Sequence, residues 1–573
     1  MTTPRRQPTE SSPLLGRSTD SLGSYNSVDD VDSSPAPSVV QIDKISQRDL
    51  VWVLAGLYSA VFLGALDGTI VATLLSPIGS YFNESNRASY IGTSYLLSVC
   101  CFTPLYGRLS DILGRKGAML LALSLFGSGT LLCGLAPSMD ALIIARTIAG
   151  MGGGGVMTVS SIAVTDLIPL RQRGLYQGLT NVLFGLGAGL GGPLGGWMND
   201  TWGWRSAFLF QMPILVFSFL LVTAKVSIRL PDEIQNQPLR AKLRRIDFLG
   251  SITLVSTVGC LLLGLSMKST EELPWSHPLV WGLLIASVVW GVVFVLVEAH
   301  WAPYPVMPIR LVTQRTPLAV SLSNFFGSAA AFSMIYNVPL YFSAVRLDNS
   351  TDAGLHLLPH SLAISAGSVF AGWIMRRTGR LYGLTLLSSG MTVIAATMVA
   401  FWDNNTSAFH LWFDIFPQGL GMSSVITTTL IAMIASVVKE DLAVATGITY
   451  LFRTAGQVIG VSLSGALLQA VLASKLKERI TGPNAAEIIE SIRHSTSIIA
   501  ELSPEHRQAA VDSYSDGLRA VFICQAAINV ICFLCCLPIQ ENPLPGTHEE
   551  QEAHYRKRQN SIRQPNPDDR EAS

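Results

Sequence analysis

Apolar segments of about twenty residues, separated by short polar loops, follow one another along most of the chain. A helix needs roughly 20 mostly apolar residues to cross the hydrocarbon core of a bilayer. The pattern predicts fourteen spanning helices, near residues 51–73, 88–107, 117–136, 140–164, 175–197, 206–226, 246–267, 278–298, 318–342, 354–375, 383–402, 409–437, 443–472 and 517–538. Because this number is even, both ends of the chain are expected on the same side of the membrane.

The composition fits the same class of protein. The 573 residues are 49% hydrophobic and 14% charged, with a mean hydropathy of +0.41, whereas soluble domains carry about 25% charged residues. We therefore expect an integral membrane protein with the lipid bilayer as a partner. The net charge of zero gives no reason to expect a nucleic acid partner. The eight cysteines lie in apolar segments as small hydrophobic residues, and no metal site is expected.

The distribution of charge predicts the orientation. Lysine and arginine are concentrated in the loops that share a side with the two chain ends, which assigns that side and both termini to the cytosol. Candidate glycosylation sites of the form Asn-x-Ser/Thr occur at Asn83, Asn199, Asn349, Asn404 and Asn405. All of them fall in loops assigned to the opposite side, so they agree with the predicted orientation.

Both ends of the chain are polar. Residues 1–48 are rich in Ser, Pro and Asp and lack the apolar core of a signal peptide, which predicts a disordered cytosolic tail. Residues 541–573 are predicted to form a second cytosolic tail. Within the first tail, Glu10, Leu14 and Leu15 match an acidic dileucine pattern. This pattern is a candidate sorting signal that an adaptor complex could bind.

Residues 107–116 read GRLSDILGRK and lie between two apolar segments. Charges at this position belong in a tight turn at a membrane face, so the flanking helices are predicted to form a hairpin. We call this segment the gating loop; its glycine and charged positions are Gly107, Arg108, Asp111, Gly114, Arg115 and Lys116. Residues 372–380, GWIMRRTGR, repeat the pattern imperfectly, with Arg376 in the place of Asp111.

Among the charged residues of the predicted spans, the candidates for proton or substrate coupling are Asp67, Arg146, Arg453 and Asp414. An aspartate in the middle of a membrane costs about 2.5–3.5 kcal/mol to insert, so Asp67 either has a function or lies near the outer end of its helix. Arg146 is a candidate partner for Asp67. Arg453 lies near the midplane and must be paired or line a cavity. Asp414 is either its partner or a residue at the outer interface.

A glycine-rich span, GLGAGLGGPLGGWMND at residues 185–200, contains Gly191, Gly192, Pro193, Gly195 and Gly196. Small residues at this spacing let helices approach closely, and the proline permits a kink. The run GMGGGG at residues 150–155 also matches the spacing of a dinucleotide fingerprint. Because no strand precedes it and it lies in a span, we interpret it as a helix-packing surface.

Taken together, these motifs resemble the major facilitator superfamily. The gating loop is similar to the family's loop between helices 2 and 3. LDGTIVATLLSPI at residues 66–78 resembles the helix 1 signature of its fourteen-spanner drug:proton antiporter branch, and residues 185–200 resemble its antiporter motif. The resemblance implies an all-α membrane fold with two pseudo-symmetric six-helix bundles and two extra helices between them. It also implicates Arg146 in proton coupling.

The implied domains combine this plan with the predicted spans. The first bundle covers residues 49–226, a linker and two extra helices cover 227–315, and the second bundle covers 316–540. The second bundle includes an outer segment, 473–516, in which apolar residues recur at helical spacing. We expect one or two amphipathic helices there, lying against the lumenal face.

The resemblance implies a transporter that works by alternating access, with no cofactor and a proton gradient as energy source. The serine-proline-dileucine tail is similar to that of fungal vacuolar basic amino acid transporters, which predicts a monomeric antiporter that loads small cationic solutes into the vacuole. Two alternatives remain: a plasma-membrane multidrug or toxin exporter, and a non-transporting nutrient receptor. An enzyme is not expected, because no nucleophile–base pair, metal cluster or phosphate loop is evident.

Overall fold

The structure, a computed structural model, describes residues 47–84, 87, 89–226, 246–269, 273–302, 305–348, 350–403, 406–481, 485–494, 497–547, 549–551, 553 and 556. No strand occurs among these residues, and nearly all of them are helical. The sorting pattern at Glu10, Leu14 and Leu15, and the sequons at Asn349, Asn404 and Asn405, lie outside the described residues. Asn83 and Asn199 are described: the first is exposed and the second is partly buried.

The helices are numbered here in chain order. They are α1 (Gln47–Phe82), α2 (Ser89–Leu135), α3 (Met139–Leu167), α4 (Leu170–Trp202), α5 (Trp204–Leu209), α6 (Gln211–Lys225), α7 (Phe248–Ser269), α8 (Pro278–His300), α9 (Ile309–Val312), α10 (Arg315–Tyr341), α11 (Ser350–Leu355), α12 (Leu358–Thr378), α13 (Tyr382–Ala400), α14 (Ala408–Phe413), α15 (Phe416–Ser436), α16 (Leu442–Arg479), α17 (Ala485–His494) and α18 (Pro504–Cys536). A π-helical turn (Phe342–Arg346) follows α10, and 3₁₀ turns precede α16 (Lys439–Asp441) and α18 (Ser497–Glu501).

Twelve helical segments in the described part of the chain are long and apolar enough to cross a membrane. The 47-residue α2 covers two of the predicted spans. The two parts are separated at Gly114, where φ 80° and ψ 161° interrupt the helical geometry. Helix α4 is not among the twelve, since its many glycines contribute little hydropathy. An all-helical membrane protein is therefore confirmed, and the number of fourteen spans stays a prediction.

Several helices extend beyond the apolar segments that predicted them. Helix α1 continues to Phe82 through Pro77, although its apolar segment ends near residue 73. Helix α16 continues to Arg479, and α18 begins at Pro504. Asp67 consequently lies in the middle of α1, 15 residues before its end. At 1.5 Å per residue this is about 22 Å, so the alternative position near the outer end of the helix is wrong.

The outer segment between α16 and α18 contains the helix α17 and a 3₁₀ turn. Ile492 of α17 and Ile499 of the turn are fully buried, in one cluster with Leu472 of α16 and Leu518 of α18. The hydroxyl of Tyr514 donates to the carbonyl of Ile492 at 3.0 Å. The apolar positions noted in the sequence therefore pack this segment onto the ends of the two long helices.

The first and second halves of the chain meet along two seams. In one seam, α4 packs against α12: a Cβ at Gly372 would overlap the backbone of Gly174, and one at Gly178 would lie 2.9 Å from the carbonyl oxygen of Ser368. In the other seam, α2 packs against α16: a Cβ at Gly107 would lie 2.8 Å from the carbonyl oxygen of Ala443. These close approaches lie at the end of the molecule that the sequence assigns to the cytosol.

The extra helices α7 and α8 pack against each other and against the seam between α2 and α16. The hydroxyl of Ser287 donates to the carbonyl of Thr257 at 2.8 Å, joining the two helices. Leu254 and Phe294 share a buried cluster with Cys100 of α2 and Leu451 of α16. The pair therefore contacts both halves of the chain.

The residues that follow α18 contact the starts of two other helices, one in each half of the chain. The carboxylate of Glu541 accepts the backbone N–H groups of Leu381 and Tyr382 at 2.8 and 3.0 Å, which caps the start of α13. The side chain of Gln551 accepts the N–H of Leu170 at 3.2 Å, at the start of α4. Both contacts satisfy backbone donors that a helix leaves free in its first turn.

The seam between α4 and α12 generates the first prediction. Gly372→Ala should destabilise the protein by about 1–3 kcal/mol, because the new methyl group has no room against the backbone of Gly174. Thermal unfolding in detergent measures the effect. Gly383→Ala on α13 is the matched control, since a Cβ there meets no atom within 4 Å. An equal change in both variants would show that the seam is not closely packed.

Candidate functional site

A buried ion pair joins α1 and α3 inside the first half of the chain. The Nη1 of Arg146 donates to Oδ2 of Asp67 at 2.6 Å, and the two side chains are only 1% and 0% exposed. The Nη2 of Arg146 also donates to the backbone carbonyl of Asp67, at 3.4 Å. The structure thus brings together two residues that the sequence could propose only as candidate partners.

Further groups hold this pair in place. Gln211, in the first turn of α6, donates from Nε2 to the second carboxylate oxygen of Asp67 at 3.3 Å. The Nε of Arg146 donates to the carbonyl of Ile91 at 3.3 Å. The guanidinium carbon lies 4.2 Å from the ring centroid of Tyr95, an arrangement that favours a cation. Four helices, α1, α2, α3 and α6, therefore enclose one neutral pair.

The glycine run of α3 explains why α2 comes close enough to contribute. A Cβ at Gly150 would lie 2.5 Å from the carbonyl oxygen of Tyr95, and one at Gly153 would lie 2.7 Å from the hydroxyl of the same residue. Side chains at these positions would push α2 away and remove Tyr95 from Arg146. The run is thus a packing surface, as interpreted from the sequence, and it also shapes the site.

The glycine-rich helix α4 packs against the turn of α1 that carries Asp67. A Cβ at Gly191 would overlap Thr69 and lie 2.9 Å from the carbonyl oxygen of Leu66, and one at Gly195 would lie 2.8 Å from the carbonyl oxygen of Ile70. The neighbouring positions differ: Gly192 is in ordinary contact with Thr73, Pro193 is exposed, and a Cβ at Gly196 would meet no atom within 4 Å. The closest contacts with α1 are therefore made by Gly191 and Gly195.

The gating loop is held by a network of charges. Arg115 donates to Asp111 at 2.7 Å and to Asp166, near the end of α3, at 2.6 Å. Arg108 lies 4.0 Å from the other oxygen of Asp111. Gly114 has a positive φ of 80°, which other residues rarely adopt, and Lys116 is partly buried two residues later. The loop therefore binds the turn between the two parts of α2 to the end of α3.

In the second half, Arg453 lies in α16 and is 7% exposed. Its Nε and Nη2 donate to Oδ1 of Asn324 at 3.3 and 3.2 Å. Asp414 is not its partner: the carboxylate of Asp414 contacts Trp402 at 3.0 Å and His410 at 2.9 Å. The pairing of Arg453 with Asp414 considered from the sequence is therefore wrong, because Asp414 precedes α15 and belongs to a separate cluster at the opposite end of that half.

Three polar contributors were not proposed from the sequence: Gln211, Asp166 and Glu298. Glu298, at the end of α8, is buried, and its Oε1 accepts the N–H groups of Val306 at 2.9 Å and Met307 at 3.3 Å. A charged residue at the end of a span is normally exposed, so the position of Glu298 in the sequence gave no reason to expect that it is buried. Asp166 could have been noticed, because it is a charged residue between the predicted span 140–164 and Pro169.

Comparison with known proteins identifies relatives over most of the chain. The family model described as Major Facilitator Superfamily matches residues 57–461. "Multidrug resistance protein fnx1" of Schizosaccharomyces pombe is 38% identical, over 85% of this chain and 92% of its own length. "Vacuolar basic amino acid transporter 1" of Saccharomyces cerevisiae is 33% identical, over 74% of this chain and 79% of its own length.

A solved structure shares the fold. The human organic anion transporter MFSD10 (TETRAN) superposes with a TM-score of 0.55 at 15% sequence identity, covering 85% of this chain and 98% of its own. At this level of identity the likeness concerns the fold alone.

The ion pair generates the second prediction. Removing one partner of a buried pair costs about 3–5 kcal/mol, because the other charge is left without compensation. Arg146→Gln and Asp67→Asn should each lower the thermal midpoint in detergent, and the double variant should be less destabilised than the sum of the two. Arg87→Gln is the control, since Arg87 belongs to an exposed pair with Asp140. Simple additivity of the two effects would contradict a direct charge interaction.

Proposed function

The chain belongs to the Major Facilitator Superfamily, and on this premise we propose that it is a proton-coupled antiporter that moves basic amino acids from the cytosol into the vacuole. That the protein is a membrane transporter of small molecules, and not an enzyme, follows from the family. Coupling to protons, basic amino acids as the substrate and the vacuolar membrane as the location are the parts that we propose.

The buried pair of Asp67 and Arg146 is the observation that supports proton coupling. While Asp67 is ionised, the pair is neutral. A proton on Asp67 leaves the guanidinium of Arg146 with two carbonyl oxygens and the ring of Tyr95, so the site gains one positive charge. In a low-dielectric interior this charge acts strongly on a nearby cation. A proton and a cationic solute therefore oppose each other's binding, as antiport requires.

The packing around the pair supports a link to conformational change. Gly191 and Gly195 place α4 directly on the turn that carries Asp67, and the other end of α4 forms the seam with α12 through Gly174 and Gly178. One helix thus contacts both the proposed proton site and the opposite half of the chain. A change in charge at Asp67 can therefore shift α4 and, through α4, alter its contact with α12 at the seam.

The proposed cycle follows from the direction of the proton gradient. At the acidic lumenal side a proton enters, neutralises Asp67 and displaces the cationic solute. The two halves then rock, and the proton leaves at the cytosolic side, where a new solute binds. In the described conformation the two halves are in contact at the predicted cytosolic end, at Gly107 and Gly372, so within this proposal the conformation is a state closed towards the cytosol.

The proposed substrate and the proposed membrane are supported by the relatives of the chain and not by the geometry of the ion pair. The relative named as a vacuolar basic amino acid transporter favours Lys, Arg and His and the vacuolar membrane. A second candidate, export of drugs or toxins at the plasma membrane, is favoured by the relative named as a multidrug resistance protein. Both functions use the same scaffold and the same proton site, so only the transported molecule and the location distinguish them.

Uptake by vacuolar vesicles tests the proposal. ATP-energised vesicles that contain the protein should accumulate labelled Lys, Arg and His, and an uncoupler that dissipates the proton gradient should abolish the accumulation. Asp67→Asn should lose this uptake, because the neutral side chain carries no proton in the cycle. It should retain exchange of labelled for unlabelled arginine without a gradient only at raised arginine concentrations, because the uncompensated charge of Arg146 weakens binding of the cation.

The matched control for that experiment is Asp49→Asn. Asp49 lies on the same helix, but its side chain is 47% exposed in a surface pair with Lys225, so uptake should remain normal. Gradient-driven uptake by Asp67→Asn at the wild-type rate would remove Asp67 from the mechanism. Uptake of a multidrug substrate, but of no basic amino acid, would favour the second candidate.

Location provides a separate prediction. If Leu14 and Leu15 are part of a sorting signal, replacing both with Ala should move a fluorescently tagged protein from the vacuolar membrane to the cell surface. Glu10→Gln should have a weaker effect in the same direction, because it removes only the acidic residue of the pattern. An unchanged vacuolar location in the double variant would exclude this signal, and a wild-type protein at the cell surface would favour the exporter.

A further inference from the structure

Arg453 is a buried cation whose partners are neutral. Within the part of the chain that the structure describes, no carboxylate lies within 4.0 Å of its guanidinium. Its partners are the Oδ1 of Asn324 and the ring of Tyr450, whose centroid is 4.7 Å away. Arg146 in the other half is neutralised by Asp67, so the two buried arginines differ in charge balance.

The amide of Asn324 is fixed in its orientation. Its Nδ2 donates to the carbonyl of Val320 at 2.9 Å and to the hydroxyl of Thr429 at 3.0 Å. These two bonds direct Oδ1 towards Arg453 and hold the guanidinium in one position. A guanidinium has five N–H donors; the bonds to Asn324 use two of them, and the side chain of Tyr450 also interacts with the group. A preorganised cation with donors left for a ligand therefore lies between α10, α15 and α16.

The position of Arg453 is also suited to a ligand held between the halves. The next residue, Thr454, donates to the thiol of Cys100 on α2 at 3.4 Å, so this turn of α16 lies at the seam. Arg453 is 7% exposed, whereas Arg146 is fully buried. A buried charge without a counter-ion is costly, and an arriving anion would remove that cost while it is bound.

We propose that Arg453 binds the α-carboxylate of the transported amino acid. The planar guanidinium forms paired hydrogen bonds with a carboxylate, which lysine cannot reproduce. This inference rests on the proposed function and deepens it: the carboxylate contacts the second half through Arg453, and the cationic part responds to the charge of the Asp67–Arg146 pair in the first half. Arg453 then selects amino acids against organic cations that lack a carboxylate.

The test compares arginine with agmatine, which is arginine without its carboxylate. In vesicles with the wild-type protein, unlabelled arginine should inhibit the uptake of labelled arginine far more strongly than agmatine does. Arg453→Gln should raise the KM for arginine roughly 10- to 100-fold, the value of a charged hydrogen-bonded contact, and should not weaken the inhibition by agmatine, because agmatine has no carboxylate and loses only a repelling charge. Arg453→Lys should recover only part of the loss.

Inhibition by agmatine that is at least as strong as in the wild type also shows that the Arg453→Gln protein is folded. Arg519→Gln, at an exposed position of α18, is the surface control and should behave as wild type. An unchanged KM for arginine in Arg453→Gln, or an equal loss of arginine and agmatine binding, would overturn the role of Arg453 alone. Absence of any uptake of basic amino acids by the wild-type protein would instead overturn the proposed function and this inference with it.

Discussion

The ion pair between Asp67 and Arg146 is the interaction on which the rest of the structure depends. Each charge alone would be costly inside a helical bundle, and together they are neutral, with Gln211, Tyr95 and the carbonyl of Ile91 satisfying the remaining groups. The glycines of α3 and α4 permit the close helix contacts that surround the pair. In the proposed cycle the protonation state of Asp67 has a large effect, because both side chains of the pair are shielded from the solvent that would screen a change in charge.

Much of the architecture was predictable, because membrane helices are specified by local composition. The apolar segments located the spans, and the gating loop was recognisable from charges between two of them. Helix ends were predicted less well: α1 continues to Phe82 although Pro77 and polar residues follow its apolar segment. That extension placed Asp67 in the middle of its helix, where the sequence had left its depth open.

Contacts between distant segments were the part that the sequence could not determine. Asp67 and Arg146 were each recognisable as costly charges, but 79 residues separate them and only the fold shows that they meet. The same limit left two positions open for Asp414, as a partner of Arg453 or as a residue at the outer interface, and the structure excludes the first. Asn324 supplies a neutral partner instead, and an asparagine in an apolar segment gives no sign of which residue it contacts.

The central claim is that binding of a cationic solute and protonation of Asp67 exclude each other. Proton release from purified protein in weakly buffered detergent solution tests this most directly, because it requires neither a membrane nor a gradient. Addition of arginine should release protons from the wild-type protein. Calorimetry should show that Asp67→Asn binds arginine more weakly, because its site carries the same extra positive charge as the protonated wild type, and arginine at saturation should release no protons from it. Equal proton release from both proteins would contradict the account, since another group would then carry the proton.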